Sequence, residues 1–316
     1  MDTSQQILSD ITIFSKYARY RHDLKRRETW DEIVDRNKEM HIARYPMLKD
    51  AIDTVYERSV RTKKVLPSMR SLQFAGKAIE RNHARIYNCS YLPMDHQKAF
   101  SEVMFLLLSG TGVGYSVQKR HVDSLPVIKP RTAAPTIIYL IEDTIEGWAD
   151  AVDVLINSYV NGGNKIVFDF SQIREKGTDL VVSGGRAPGP EPLKKCLKQM
   201  DNVLAKAVGR TLKPIEVHDI NCFLANAVLA GGIRRAAMIS LFDHDDNEML
   251  TCKSGTWWED NPQRGRANNS VVLDRYTTSQ EQFFNIWDIV KASGAGEPGF
   301  YWTNDKDLGT NPSMAA

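Results

Sequence analysis

The sequence predicts an α/β fold in which a helical N-terminal region, residues 1–65, precedes a parallel sheet or barrel. After Pro67, short runs rich in β-branched and aromatic residues alternate with longer runs that place apolar residues at helical spacing. Strands separated by helices normally pair in parallel, because each helix carries the chain back to the same edge of the sheet. No internal repeat or low-complexity linker interrupts the alternation.

Two helices are predicted within residues 1–65. The first follows Thr29, a residue type that caps helix N-termini, and ends before Pro46. The second has one apolar face at 3.6-residue spacing, made of Leu48, Ile52, Val55, Tyr56 and Val60. No catalytic pattern of residues occurs in this region, so we expect the chemistry to lie later in the chain.

Strands and helices alternate through the remainder of the chain. The predicted strands are ARIYNCSYLP, TGVGYSV, KIVFDFSQI, AAMISLF, NNSVVLD and PGFYW. The predicted helices are QKAFSEVMFLLLSG, DTIEGWADAVDVLINSYVNGG, residues 191–207, HDINCFLANAVLAGG and SQEQFFNIWDIVKASG. Asp143 or Thr144 is expected to cap the second of these helices, and Gly162 and Gly163 are expected to end it.

The composition is that of an average soluble globular protein. The 316 residues are 42% hydrophobic and 25% charged, and the 41 basic and 39 acidic side chains leave a net charge of +2. So small a charge gives no electrostatic footprint for nucleic acid. The first residues lack the apolar core of a signal peptide, and no later run approaches the roughly 18 apolar residues of a membrane span. A cytoplasmic protein without membrane contact is therefore expected.

Any cysteine with a functional role here is expected to serve redox or radical chemistry, rather than to bind structural zinc or form a structural disulfide. Cys89, Cys196, Cys222 and Cys252 are far apart and form no Cys-x-x-Cys pair, which argues against structural zinc. Structural disulfides would be out of place in a reducing compartment. The turn FDHDDNE contains ligand-type residues at His244, Asp245 and Asp246, but its polar, hairpin-like pattern leads us to expect no metal.

Four stretches near predicted strand ends carry candidate functional residues. They are YNCSY with Cys89, SGTGVGYS, SGGRAPGPEP at residues 183–192, and LAGGIRRAAMIS. Glycines at alternate positions let backbone N–H groups approach a phosphate, and loop arginines can bind one. A buried apolar cysteine, ordinary turns and surface arginines are the alternatives. Two Gly/Arg loops in one chain favour a nucleotide phosphate site.

Taken in order, nine stretches resemble the large chain of ribonucleotide reductases, most closely the adenosylcobalamin-dependent (class II) ribonucleoside-triphosphate reductases. These are VLPSMRSL, YNCSYLP, SGTGVGYSV, DTIEGW, SGGRAPGPEPL, AGGIRRAAMISL, RANNSVVLD, GEPGFYW and GTNP. The resemblance as a whole covers about residues 20–312. The resemblance implies that residues 66–316 form the first half of a ten-stranded α/β barrel. It also places an effector-loop region at about residues 140–240.

The end of the sequence departs from the family pattern. The family carries its thiyl-radical cysteine in an Asn-Pro-Cys-x-Glu motif on a finger loop that threads the barrel. Asn311 matches the asparagine that holds the substrate hydroxyls, but Ser313 stands in place of the cysteine and Ala315 in place of the glutamate. A serine O–H bond is much stronger than a thiol S–H bond, so Ser313 could not take over the radical. We therefore expect an N-terminal half that ends at the finger loop and is inactive without the C-terminal half.

The resemblance also implies roles for residues before the finger loop. Cys89 matches the reducing cysteine that becomes half of a disulfide in each turnover. Ser68, Asn88, Thr111 and Gly112 match substrate-binding positions. Leu66 replaces a threonine that is usual in the family, which removes one hydrogen bond to the substrate.

Effector binding is implied for the two flexible loops. Gly185 and Arg186 match the first specificity loop, whereas Gly232, Arg234 and Arg235 match the second. Asp95 falls where the family places a carboxylate on the effector deoxyribose. The implied cofactor of the complete enzyme is adenosylcobalamin, with a dNTP or ATP as effector.

The implied partners are the C-terminal half, a ribonucleotide substrate (expected to be a triphosphate), a dNTP effector and a thioredoxin-like reductant. A homodimer would complete the effector site if one copy is insufficient. One alternative is the large subunit of a diiron-dependent (class I) reductase, although GEPGFYW and NPS favour class II. Another alternative is a catalytically inactive dNTP-binding regulatory protein.

Overall fold

The computed structural model describes residues 3–180, 186–229 and 237–314. It contains two compact units. Residues up to Asn88 form the first, here called the helical unit. Cys89–Asp179 and the described residues from 186 onward form the second, here called the sheet unit.

Short helices dominate the helical unit. Its helices are α1 (Thr3–Thr12), α2 (Trp30–Arg44), α3 (Lys49–Val55), α4 (Met69–Phe74) and α5 (Lys77–Arg81), and a hairpin joins β1 (Tyr20–Arg21) to β2 (Arg26–Arg27). As predicted, Thr29 caps α2. Its side chain accepts a hydrogen bond from the Glu32 N–H at 3.3 Å, and the Glu32 carboxylate accepts one from the Thr29 N–H at 2.7 Å.

The predicted apolar stripe is only partly buried. Tyr56 and Val60 pack against Val34, but Leu48 and Val55 are each 51% exposed. A π-helical turn over Tyr56–Val60 follows α3, and its wider turn rotates the later residues away from the earlier ones. A strict 3.6-residue spacing therefore fails at this point.

The helical unit extends beyond the predicted division at residue 65. Met40 of α2 packs against Phe74, Ala75, Ala78 and Ile79, which lie in or beside α4 and α5. Because these short helices bury their apolar side chains on α2, residues 66–88 belong with the helical unit rather than with the sheet.

The sheet unit contains seven strands. They are β3 (Cys89–Pro93), β4 (Gly112–Ser116), β5 (Thr132–Leu140), β6 (Asn164–Asp169), β7 (Met238–Asp243), β8 (Ala267–Asp274) and β9 (Gly299–Thr303). Five of them form one sheet in the order β3-β4-β7-β8-β9, and every neighbouring pair is parallel. The predicted parallel α/β arrangement is confirmed, and closure into half of a barrel stays a prediction.

Eight helices lie between these strands in the part of the sheet unit that the structure describes. They are α6 (Ala99–Leu108), α7 (Lys119–Val122), α8 (Ile145–Val160), α9 (Glu191–Lys206), α10 (Pro214–Leu229), α11 (Asn247–Leu250), α12 (Trp257–Asp260) and α13 (Gln280–Ser293). Gly110 ends α6 with a φ of 88°, and the Gly110 and Thr111 N–H groups bond back to Leu107 and Leu106. Thr144 caps α8 by accepting from the Gly147 N–H at 2.8 Å.

The remaining pair, β5 and β6, forms a separate parallel sheet of two strands. β5 was not predicted from the sequence, because Pro135 lies within it and proline removes a donor from a strand interior. In the structure the pairing register shifts between Thr132 and Ile137, so the proline is accommodated at an irregularity.

Both faces of the five-stranded sheet bury apolar side chains. One face packs against α6, α8, α9 and α10 through residues such as Val113, Phe242 and Val271. On the other face Ile239, Leu241 and Val272 are buried with help from Tyr91 and Tyr301. Burial on both faces explains why apolar residues occur at consecutive positions in these strands, as in Val271, Val272 and Leu273 of β8, rather than only at alternate ones. We call the second face the open face, since its apolar cluster contains residues of the strands and of none of the described helices α6 to α13.

A buried polar row crosses the helix-covered face. Tyr115, Ser240 and Asn269 are neighbours across β4, β7 and β8, and all three are buried. The Tyr115 hydroxyl lies 2.8 Å from Nδ1 of His218 on α10, which connects the row to the helix above it. His218 is fully buried, and this burial lowers its pKa to about 3. The imidazole is therefore neutral in the folded protein at neutral pH.

We predict that His218 makes the protein sensitive to mild acid. Below its ordinary pKa of 6.5 the unfolded chain binds a proton at this residue, while the folded chain does not until about pH 3. The free energy of unfolding should therefore fall by about 1.4 kcal/mol per pH unit between about pH 6 and pH 4. Urea unfolding of wild type and His218→Gln at several pH values checks this. The variant should be less stable at pH 7.5 but lose less stability on acidification, and equal slopes would contradict the prediction.

Candidate active site

Three of the candidate stretches meet at the N-terminal ends of the strands in the five-stranded sheet, here called its amino edge. Cys89 is the first residue of β3, and it pairs with Gly112, the first residue of β4. The Val113 N–H donates to the Ala237 carbonyl at 2.9 Å, so the residue that follows the second Gly/Arg loop also lies at this edge. Parallel strands bring their starts together, which explains how positions so far apart in the sequence become neighbours.

The chain returns to this edge at residues 309–313. Sγ of Cys89 lies 3.1 Å from Oγ of Ser313, so the two side chains are in direct contact. The Ser313 N–H donates to Oδ1 of Asn311 at 3.0 Å, which forms a tight turn of the type asparagine favours. The structure thus brings the three predicted catalytic positions, Cys89, Asn311 and Ser313, to one place.

Cys89 has the surroundings of an accessible thiol, and the other cysteines do not. Of the four cysteines, all of which the structure describes, Cys89 is half-buried and the others are buried. Burial raises the pKa of Cys196 and Cys222 far above the ordinary thiol range, and raises that of Cys252 to about 11. Cys196 and Cys222 lie in helices as predicted, whereas Cys252 lies in a turn. Its sulfur accepts a hydrogen bond from Nδ2 of Asn269 at 3.0 Å.

The glycines of SGTGVGYS do not form an open loop. Gly112 and Gly114 lie inside β4, and both they and Thr111 are buried. Thr310–Pro312 lies against the open-face side of these glycines, so the space there is filled by the chain itself. These glycines thus lie in strand backbone packed against residues 310–312. Contact of Thr111 and Gly112 with a substrate stays a prediction.

Two predicted substrate residues belong to the helical unit. Ser68 caps α4, since its hydroxyl accepts from the Ser71 N–H at 3.1 Å. Oδ1 of Asn88 accepts from Nε of Arg70 at 3.1 Å, and the buried Arg70 guanidinium lies 5.2 Å from the centre of the Phe74 ring. Both residues therefore have local structural roles, and their contact with a substrate stays a prediction.

Most of the predicted effector residues cannot be placed. Gly185, Gly232, Arg234 and Arg235 lie outside the described residues. Arg186 is described and is exposed, with a long contact of 3.9 Å to the equally exposed Asp179. Its side chain is thus available to an anion.

Asp95 lies just beyond the C-terminal end of β3, whereas Cys89 lies at the N-terminal end of that strand. It follows the last residue of β3 by two positions, so about 20 Å of extended chain separates the two residues. Its carboxylate lies 3.8 Å from Nε2 of the neighbouring His96. Asp95 and Cys89 are therefore too far apart along β3 to contact the same small group.

Two ionic contacts in the sheet unit were not predicted from the sequence. Arg120 forms an ion pair with Asp307. Asp307 directly precedes residues 308–313, here called the returning segment, and Arg120 follows the C-terminal end of β4. Lys253 is buried and pairs with Glu297 at 2.6 Å, while its ammonium also donates to the Ala267 carbonyl at 2.5 Å. No local pattern could reveal either pair, because the partners are far apart in the sequence.

The polar turn at residues 244–246 has a structural explanation. Asp246 caps α11 by accepting from the Met249 N–H at 3.0 Å. Within the described ranges, no group of three His, Cys, Asp or Glu residues is placed to hold a metal ion. In the same ranges no helix is both long and apolar enough to cross a membrane.

The fold agrees with that of a ribonucleotide reductase. A solved crystal structure of a B12-dependent (class II) ribonucleotide reductase matches with a TM-score of 0.77, over 92% of this chain and 48% of that one. At 24% sequence identity this match establishes the fold alone. The family model for the insertion domain of B12-dependent ribonucleotide reductases matches residues 116–204.

Sequence comparison identifies the relatives more closely. Adenosylcobalamin-dependent ribonucleoside-triphosphate reductases are 28% identical across 92% of this chain in Levilactobacillus brevis, and 30% identical across 78% in Euglena gracilis. These alignments cover 47% and 34% of the two relatives. The chain is therefore a homologue of the adenosylcobalamin-dependent ribonucleotide reductases. It spans at most about half the length of these curated relatives.

The contact between Cys89 and Ser313 predicts that a disulfide can form there. Replacing the hydroxyl in Ser313→Cys should place two sulfur atoms close enough to bond after a small side-chain movement. Mild oxidation followed by mass spectrometry of unreduced peptides should show residues 89 and 313 linked within one chain. The matched control is Cys89→Ser with Ser313→Cys, which should give no such link. A folded Ser313→Cys protein that resists linkage would contradict the placement of the returning segment.

Proposed function

We propose that this chain carries one reducing thiol and the effector loops of an adenosylcobalamin-dependent ribonucleotide reductase that acts on ribonucleoside triphosphates. One observation supports this above the others. The half-buried thiol of Cys89 lies at the amino edge of a parallel sheet and contacts the segment that resembles the start of the family finger loop.

Cys89 suits the role of a reductant. Replacing the ribose 2′-hydroxyl by hydrogen releases water and consumes two hydrogens, which two thiols supply as they become a disulfide. Cys89 would provide one of these thiols, because it is only half-buried and contacts Ser313, two residues from Asn311. Cys196, Cys222 and Cys252 are buried with raised pKa values, so none of them is suited to be the second.

The described residues do not fit the radical step. Adenosylcobalamin supplies, when bound, a radical that a cysteine must accept. The side chain that faces Cys89 is the hydroxyl of Ser313, whose O–H bond is too strong for this transfer. We therefore assign to this chain no step that involves the cofactor.

We propose that the missing groups come from a second half-barrel, the part that corresponds to the remaining length of the relatives. It would supply the radical cysteine and the second reducing thiol, and a thioredoxin-like protein would reduce the resulting disulfide. Within the described sheet, β3 and β9 are edge strands with unpaired backbone groups. Beside β9, the aromatic residues Phe284, Trp287 and Trp302 are 49%, 48% and 38% exposed, which favours a contact surface there.

Regulation by a dNTP or ATP is proposed for the Gly/Arg loops. Arg186 is exposed, and Arg234 and Arg235 follow two glycines that allow the backbone to approach a phosphate. Residues 116–204, which match the insertion-domain model of B12-dependent ribonucleotide reductases, include the proposed first loop, and this match supports class II over the diiron-dependent alternative. Asp95 stays a proposed contact of the effector sugar, and a homodimer stays a proposed way to complete the site.

A second candidate, a dNTP-binding regulator without chemistry, is favoured by the presence of Ser313 opposite Cys89. The two candidates differ in what Cys89 does. Only the reductase requires its thiol to cycle between reduced and disulfide forms.

Effector binding is tested by titrating the purified chain with dATP, dGTP and dTTP in a calorimeter. We predict saturable binding that weakens by about tenfold or more in Arg234→Ala with Arg235→Ala, since each change removes a charge-assisted hydrogen bond. Arg275→Ala is the control, because Arg275 is exposed at the far end of β8. Absence of binding by the folded wild-type chain would overturn the effector proposal.

Catalysis is tested with adenosylcobalamin, a ribonucleoside triphosphate and a dithiol. The chain alone should form no deoxyribonucleotide above the blank. Addition of a polypeptide corresponding to the second half of a relative should restore turnover, and Cys89→Ser should abolish it. Turnover by the chain alone would refute the dependence on a second half. Activity that survives in Cys89→Ser would remove Cys89 from the reaction.

A further inference from the structure

We propose that Gly114, Gly309 and the Tyr91 ring are positioning residues that fix the register of the returning segment, so that residue 313 lies against Cys89. This proposal deepens the proposed function, and its importance for catalysis rests on that function. The contacts that carry it belong to the described chain and do not depend on that function.

Gly114 packs against the backbone of the returning segment. A Cβ atom built on Gly114 would lie 1.9 Å from the carbonyl oxygen of Thr310 and 3.0 Å from Cα of Asn311. Real atoms cannot approach so closely, and the obstacle is backbone that cannot rotate aside. Only glycine at this position lets residues 310–311 lie directly on β4.

Gly309, in the returning segment, packs against the side chain of Tyr91. A Cβ atom on Gly309 would lie 1.8 Å from Cζ and 1.9 Å from Cε2 of Tyr91, so the phenol ring lies flat against this glycine. Tyr91 pairs with Gly114 across β3 and β4. It also lies two residues from Cys89, hence on the same face of β3. The Tyr91 ring, Gly114 and Gly309 therefore form one contact region beside the thiol, here called the seat.

Further contacts hold residues 303–308, which lead into the contacts at Gly309. The Thr303 hydroxyl donates to the Asp305 carbonyl at 2.6 Å, Arg120 pairs with Asp307, and the Tyr301 hydroxyl donates to the Leu308 carbonyl at 3.4 Å. Gly112 is less tightly packed, since a Cβ there would meet the Ala237 carbonyl at 3.2 Å and Pro312 at 3.4 Å. The closest packing thus occurs at Gly114 and Gly309.

The register decides which residue meets Cys89. Consecutive residues of an extended chain are about 3.3 Å apart, so a slip by one residue would remove the 3.1 Å contact between the two side chains. A reaction between groups on β3 and on this segment depends on such proximity. Gly114, Gly309 and Tyr91 would act on that reaction through position 313, without touching a substrate themselves.

The test measures how fast residue 313 reaches Cys89. In a Ser313→Cys background, diamide takes two hydrogens from the thiols of residues 89 and 313, becomes a hydrazine, and leaves a disulfide. We expect Gly114→Ala and Gly309→Ala each to slow this linkage by about tenfold or more, because the added methyl group displaces the segment. Gly163→Ala is the matched control. Its nearest neighbour would lie at an ordinary 3.6 Å, so the rate should change less than about twofold.

A second substitution distinguishes positioning from general damage. Because Gly309 would clash with a ring, Tyr91→Ala should make room for it, so that adding Gly309→Ala to Tyr91→Ala causes little further slowing. Because Gly114 would clash with backbone, Tyr91→Ala should not rescue Gly114→Ala. Reaction with Ellman's reagent reports folding, since Cys196, Cys222 and Cys252 are buried only in the folded chain.

The outcomes separate this inference from the proposed function. Two results would contradict the proposed positioning role. One is linkage in folded Gly114→Ala at the rate of the control. The other is equal slowing by Gly309→Ala with and without the Tyr91 ring. If Gly114→Ala exposes its buried thiols, the Gly309 and Tyr91 variants decide the question. Failure of effector binding or of turnover would leave the linkage rates, and therefore the seat, unaffected.

Discussion

The in-register parallel pairing of β3 with β4 is the constraint on which the candidate site depends. It places Cys89 beside Gly112 and Tyr91 beside Gly114, with all four residues directed to the open face. A shift by one residue would turn the thiol toward the helix-covered core. The pairing itself is held by β7 on the far side of β4 and by burial of the whole of β4. The position of the thiol is therefore fixed by the sheet rather than by a loop.

Local patterns in the sequence predicted most of the elements near the site. The Thr29 and Thr144 caps, the glycine end of α6 and the apolar strands were predictable, because each depends on residues within one turn or one strand. The strand β5 was missed, since Pro135 argues against a strand unless the irregular pairing is known. The division at residue 65 also differed, because packing of α4 and α5 on α2 leaves no local signal.

The candidate site was predictable in its residues but not in its geometry. The resemblance of YNCSY and GTNP to one family selected Cys89, Asn311 and Ser313, and the structure places them together. The role of Gly114 could not be predicted, because its partner Thr310 is distant in the sequence and meets it through backbone. Glycine patterns show where close approach is allowed, but they do not show whether a phosphate or the chain itself approaches.

The hydroxyl opposite Cys89 has a consequence for how the isolated chain behaves in air. With Ser313 as its neighbour and the remaining cysteines buried, Cys89 has no thiol within its own chain to pair with. Oxidation can therefore join it only to a thiol from outside, such as a small reductant or Cys89 of another copy. A covalent dimer formed during storage would then report an exposed sulfur atom, and it would not by itself be evidence of a native assembly.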